Sequence, residues 1–141
     1  MKFQTLAAVP LLIFTATDLR AQSAAPADSQ FVAEAAVRSR LKSDLRNLVA
    51  AQEAYFANHS SYAASLEALS KYRPSAGSQI RLVLTRENSW AATANDAATT
   101  GRSCTIWINV DNEQHRPRTR KEIRVGREGE PVCDGDSAES R

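Results

Sequence analysis

The sequence predicts an α+β domain in which a long N-terminal helix packs on a four-stranded antiparallel sheet. Three observations predict it. An apolar stripe repeats at the helical period through residues 37–55, and alternation with a period of two begins after Gly77. Residues 30–72 contain neither proline nor glycine, whereas all five glycines lie beyond residue 76.

The helix comes first. On a wheel of 100° per residue, Val37, Leu41, Leu45, Leu48, Gln52 and Tyr55 fall within an arc of about 80°. Ser39, Lys42, Arg46 and Glu53 lie opposite, so one face must be buried. Asp28 or Ser29 is the expected cap, and the helix is expected over about residues 30–57. Asn58-His59-Ser60-Ser61 breaks it. A second short helix is expected over about residues 63–71, with Leu66 and Leu69 as its buried edge, and Arg73-Pro74-Ser75-Ala76-Gly77 ends it.

Four short strands should follow. Residues 79–85 place Ile80, Leu82 and Leu84 on one face. Residues 89–94 place Trp90, Ala92 and Ala94 on one face, and residues 104–110 do so with Cys104, Ile106, Ile108 and Val110. Residues 122–125 form a weaker fourth strand with Ile123 and Val125 inward. Glu87-Asn88 suits a hairpin between the first two. Consecutive strands with no helix between them favour antiparallel pairing. One apolar sheet face and one apolar helix stripe then complete each other in two layers.

The ends read differently. Lys2 followed by the 13 apolar or small residues 5–17, with Leu19-Arg20-Ala21 before Gln22, reads as a secretory signal peptide over residues 1–21. The uncharged stretch between Lys2 and Asp18 is shorter than the roughly 20 residues that span a bilayer. No stable membrane insertion is expected after cleavage, and the localisation is periplasmic or extracellular. Residues 22–29 should be a flexible lead-in, residues 30–133 the domain, and residues 134–141 a disordered polar tail. The chain has 141 residues, with 18 basic and 16 acidic side chains. Such a balance gives no reason to expect nucleic acid or an acidic substrate.

Candidate chemistry is sparse. Cys104 and Cys133 are the only cysteines, and in an exported chain they most simply form one disulfide. There is no CxxC, and His59 and His115 both fall in loops. No metal, cofactor or paired catalytic constellation is expected, and the chain reads as a non-enzyme. Arg116, Arg118, Arg120, Lys121, Arg124 and Arg127 make a local positive patch, either a solvated face or a contact for an acidic partner or surface. Trp107 points away from the Cys104/Ile106/Ile108 face, as a partner-binding anchor or as a cover for the neighbouring disulfide loop. The partner-contact candidates are thus Arg116, Arg118, Arg120, Arg124 and Trp107. Asn58-His59-Ser60 fits a glycosylation sequon, a pattern that also occurs often by chance.

Leu41 to Leu69 (LKSDLRNLVAAQEAYFANHSSYAASLEAL), the Pro/Gly break, and a meander containing Trp90 to Ala94 and Ser103-Cys104-Thr105 together resemble the globular part of type IV pilins and type II secretion pseudopilins. Gln52, Tyr55, Tyr62, Leu66 and Leu69 match the family's helix-end pattern, and the resemblance covers about residues 34–110. It implies a headpiece fold and a C-terminal disulfide loop that mediates contacts. The family's basic leader with a Gly-Phe-Thr-Leu-like site and its long hydrophobic first helix do not appear in these residues. The expected function is an exported, non-enzymatic module that binds a protein or surface. The alternative is a membrane-tethered pilin- or pseudopilin-like subunit of a filament or secretion assembly.

Overall fold

A computed structural model describes residues 26–99, 102–121 and 126–136, with side chains from residue 28 onward. Helix α1 spans Pro26–His59. It therefore begins inside the stretch expected as a flexible lead-in, and Asp28 and Ser29 lie in its first turn rather than at its cap. Proline suits the first helical position, because its φ is already helical and its missing N–H would have no partner there. Asp28 places negative charge near the positive end of the helix dipole. At the other end Asn58 donates to the Ala54 carbonyl at 2.8 Å, and His59 Nδ1 bonds the Tyr55 carbonyl at 2.9 Å. Ser60 turns the chain out with φ 55° while its N–H still bonds Phe56.

The expected stripe is the buried one. Leu41, Leu45, Leu48 and Gln52 are fully enclosed, with Val37 and Tyr55 half-buried beside them. They meet Trp90, Ala92 and Ala94 on one side and Cys104 and Ile106 on the other. Burying each of the leucines contributes about 1.5–3 kcal/mol.

The second helix does not form. Residues 61–72 are bends and turns with hydrogen bonds such as Leu69 N–H to Leu66 O and Tyr72 N–H to Leu69 O. Gln52 decides this, because its side chain takes both backbone groups of Ala63. Ala63 N–H donates to Oε1 at 2.8 Å, and Nε2 donates to the Ala63 carbonyl at 3.1 Å. That tether outweighs a modest helix propensity. Asp44 fixes the far end of the segment, its carboxylate accepting from Ser75 N and Oγ and its carbonyl from the Tyr72 hydroxyl.

The sheet is a meander, β1 (Ser78–Arg86), β2 (Ser89–Asp96), β3 (Ser103–Ile108) and β4 (Val132–Cys133), in that spatial order and antiparallel throughout. Glu87-Asn88 is the hairpin turn expected. Two facing assignments change. Leu82 pairs with Ala92 and Leu84 with Ala91, so Val83 is an extra, bulged residue. The bulge turns Leu84 to the outer face of the sheet. Asn109, with φ 51°, does the same to Val110 after β3 ends. Leu84 and Val110 pack there with Ala91 and Trp107 in a second small core.

The fourth strand of the sheet is Val132–Cys133, whereas the expected strand at residues 122–125 lies outside the described residues. Cys104 and Cys133 are directly opposed in the ladder and joined by the expected disulfide, fully buried. The start of the predicted disordered tail is ordered. Asp134 is fully buried, Arg38 donates to the Gly135 carbonyl at 2.9 Å, and Lys42 pairs with Asp136 at 2.8 Å. Gly135 sits at φ 87° with the Arg38 and Arg102 guanidiniums against it, so any side chain there would be strained and crowded. Residues 137–141 lie outside the described residues.

A Cys104→Ala/Cys133→Ala double variant should lose about 3.6 kcal/mol of unfolding free energy, from the loop closed by a sequence separation of 29. Urea unfolding at neutral pH measures this. An unchanged midpoint would show that the bridge contributes nothing beyond the β3–β4 ladder.

Candidate functional site

Two surfaces present chemistry, one at each end of the sheet's layering. The first is the outer face over β3. Ser103, Thr105 and Trp107 alternate with the inward Cys104, Ile106 and Ile108, and all three outer residues are buried by the chain that follows. The Arg116 guanidinium lies 4.0 Å from the centre of the Trp107 ring, and its Nε donates to the Val110 carbonyl at 2.9 Å. Gly129 N–H donates to the Trp107 carbonyl at 3.0 Å. Trp107 is therefore the cover of its own loop and not an exposed anchor. Arg116 is occupied in holding it.

Asp134 sews the same loop to β3. Its Oδ2 accepts from Ser103 N at 2.8 Å and from Ser103 Oγ at 3.1 Å, and its Oδ1 accepts from Lys121 N at 3.0 Å. Arg120 N–H in turn donates to Ser103 Oγ at 2.7 Å. Burial pushes the Asp134 carboxyl up, but hydrogen bonds from the Thr119 side chain, the Lys121 and Ser103 amides and the Ser103 hydroxyl outweigh it and hold the group below the usual carboxylate range. The loop also depends on Gly126, which packs so close to Val132 that any side chain would collide. With Thr119 buried, Arg118 and Arg120 on either side of it are exposed, and Lys121 is exposed next to them. Arg127 of the same patch is exposed as well. Arg124 lies outside the described residues.

The second surface is a cleft of about 300 Å³ between the C-terminal half of α1 and the turn segment. Ala51, Ala54 and Tyr55 form one wall, Ala68 and Leu69 the other, and Lys71, Tyr72, Asn58 and His59 close the ends. The Tyr55 and His59 rings stack with centroids 3.9 Å apart. Burial raises the Tyr72 hydroxyl far above its ordinary value, and the nearby Asp44 charge adds to this. Tyr62, whose hydroxyl donates to Glu53 at 2.9 Å, is pushed up to about 12 by burial first and by that bond second. Both tyrosines are protonated donors at neutral pH. Among the described residues, no group of three or more His, Cys, Asp or Glu is placed to hold a metal ion.

The cleft was not legible in sequence, because its walls are alanines and a turn expected as helix. Phe31 and Val32 lie outside the expected stripe. They are adjacent on α1, about 100° apart, so one buried stripe cannot hold both. That was the available signal. They are 65% and 66% exposed.

Searches against protein-family models, curated proteins and solved structures find no match for this chain. The functional reading therefore comes from geometry and chemistry.

Two outcomes follow from the outer face. The depressed Asp134 contributes stability that is complete above the ordinary carboxylate pKa of about 3.9 and is lost as the pH falls through its own lower value. Asp96 acts in the same direction, held low chiefly by the Thr99 side chain. Unfolding free energy should stay flat from neutral pH to about pH 4 and then fall. Asp134→Asn should cost about 2 kcal/mol at pH 7 and flatten the acid limb. An unaltered acid limb would remove Asp134 from the account. Arg116→Ala should cost about 1 kcal/mol and shift tryptophan fluorescence to the red as Trp107 gains water. An unshifted spectrum would place Trp107 under some other cover.

Proposed function

We propose that this chain is an exported, non-enzymatic, pilin-like module that acts by binding another protein or surface. The observation that carries the reading is the division of α1. Its middle turns bury the Leu41/Leu45/Leu48 stripe on the sheet, while residues 28–33 are all exposed. A headpiece of this kind uses its sheet and disulfide-closed loop as a scaffold and leaves helix and loop surfaces for contact. The intramolecular disulfide is compatible with an oxidising compartment outside the cytosol. The exposed Arg118, Arg120 and Lys121 supply a positive face for an acidic partner.

The second reading is a membrane-tethered pilin- or pseudopilin-like subunit. One observation favours it: α1 starts at Pro26 and carries exposed Phe31 and Val32 in its early turns, as a helix continuing from an apolar segment would. No helix among the described residues is long and apolar enough to cross a membrane.

The mature N-terminus separates the two. Protein isolated from its own source should begin near Gln22 by intact mass, with the disulfide formed. A chain that starts at Met1 and partitions with membranes would overturn the soluble reading in favour of the tethered one.

A further inference from the structure

We propose that this chain associates with itself head to tail, Phe31 and Val32 of one copy seating in the cleft between Tyr55 and Leu69 of the next. The inference names a partner for the module described above and rests on that reading only in taking the domain to act by protein contact.

Phe31 and Val32 are two of the three exposed large hydrophobics among the described residues, and the third, Val83, is the bulged residue of β1. An adjacent exposed pair of this kind near a helix end is an apolar projection. The cleft is its complement, with alanine, tyrosine and leucine walls and a volume that admits an aromatic ring. Charge matches as well. Lys71 lines the cleft and no carboxylate does, while exposed Asp28 lies one helical turn from Phe31. Docking brings Asp28 toward Lys71.

The two features sit near opposite ends of one rigid helix. From residue 31 to residue 55 the rise is about 36 Å at 1.5 Å per residue, so a copy cannot fill its own cleft. Projection and cleft are different patches, so the contact is heterologous. It repeats into a ring or an open chain rather than closing as a two-fold dimer.

Sedimentation velocity on the full chain over a concentration series tests this. The unmodified chain should form species beyond the dimer as concentration rises. Phe31→Ser/Val32→Ser removes the projection, and Ala54→Glu/Ala68→Glu blocks the cleft. All four positions are exposed, and circular dichroism checks that each variant folds. Each variant alone should associate at least about tenfold more weakly. An equimolar mixture of the two should recover association but stop at the heterodimer, since only one intact projection and one intact cleft remain. The proposal is overturned if the unmodified chain stays monomeric at its highest soluble concentration. Unchanged association of either variant, or a mixture that stays monomeric, overturns it equally. A monomeric chain with a mature N-terminus near Gln22 discards this contact and leaves the module reading standing. A membrane-retained chain that passes the mixing test discards the soluble reading and keeps the contact.

Discussion

The structure depends on one burial: Leu41, Leu45 and Leu48 of α1 closing over the Trp90/Ala92/Ala94 and Cys104/Ile106 face of the sheet. A three-strand meander exposes an apolar face that water penalises, and a single helix exposes an apolar stripe. Neither is stable alone at this length. The alanines of β2 matter as much as the leucines, because small side chains let a 34-residue helix lie close to the strands. Gln52 extends the same contact into the polar regime. It is fully buried, yet both ends of its amide bond Ala63, which offsets the desolvation cost of positioning the turn segment.

A second layer of order is added from the C-terminal side. The disulfide at the paired Cys104 and Cys133 fixes two residues of strand, too few to persist on their own ladder bonds. Asp134 then spends its carboxylate on β3 and on the loop before β4 at once. Arg116 seals the remaining apolar surface by covering Trp107. The outer face of β3 is thereby roofed. The exposed cations of the loop among the described residues, Arg118, Arg120, Lys121 and Arg127, are the ones available to a partner.

Much of this was legible in the residues. The helical stripe, the first three strands, the Glu87-Asn88 hairpin and the cysteine pair follow from periodicity and from the scarcity of cysteine. What was not legible has local physical causes. A bulge at Val83 inverts the facing of Leu84, and alternation alone cannot reveal an inserted residue. Asn109 enters the left-handed region and turns Val110 the same way. Residues 63–71 have adequate helix propensity and still form turns, because a buried side chain 11 positions earlier claims Ala63. Asp134 reads as the start of a polar tail, since nothing in Cys-Asp-Gly-Asp signals that its carboxylate has four donors waiting. The partner-contact candidates divide on the same principle. Arg118 and Arg120 are outward neighbours of a buried threonine, while the Arg116 guanidinium lies over the buried Trp107 ring.

The functional account comes down to α1 being one helix with two roles, a span whose stripe is buried on the sheet and an early span, residues 28–33, that presents Phe31 and Val32 to solvent. Amide hydrogen exchange at high dilution measures that division most directly. Residues 41–56 of α1, together with β2 and β3, should exchange slowest, near the global unfolding limit. Residues 28–33 should exchange orders of magnitude faster through local opening. Uniform protection along the whole helix would mean that its early turns are already packed against something, and would contradict the account.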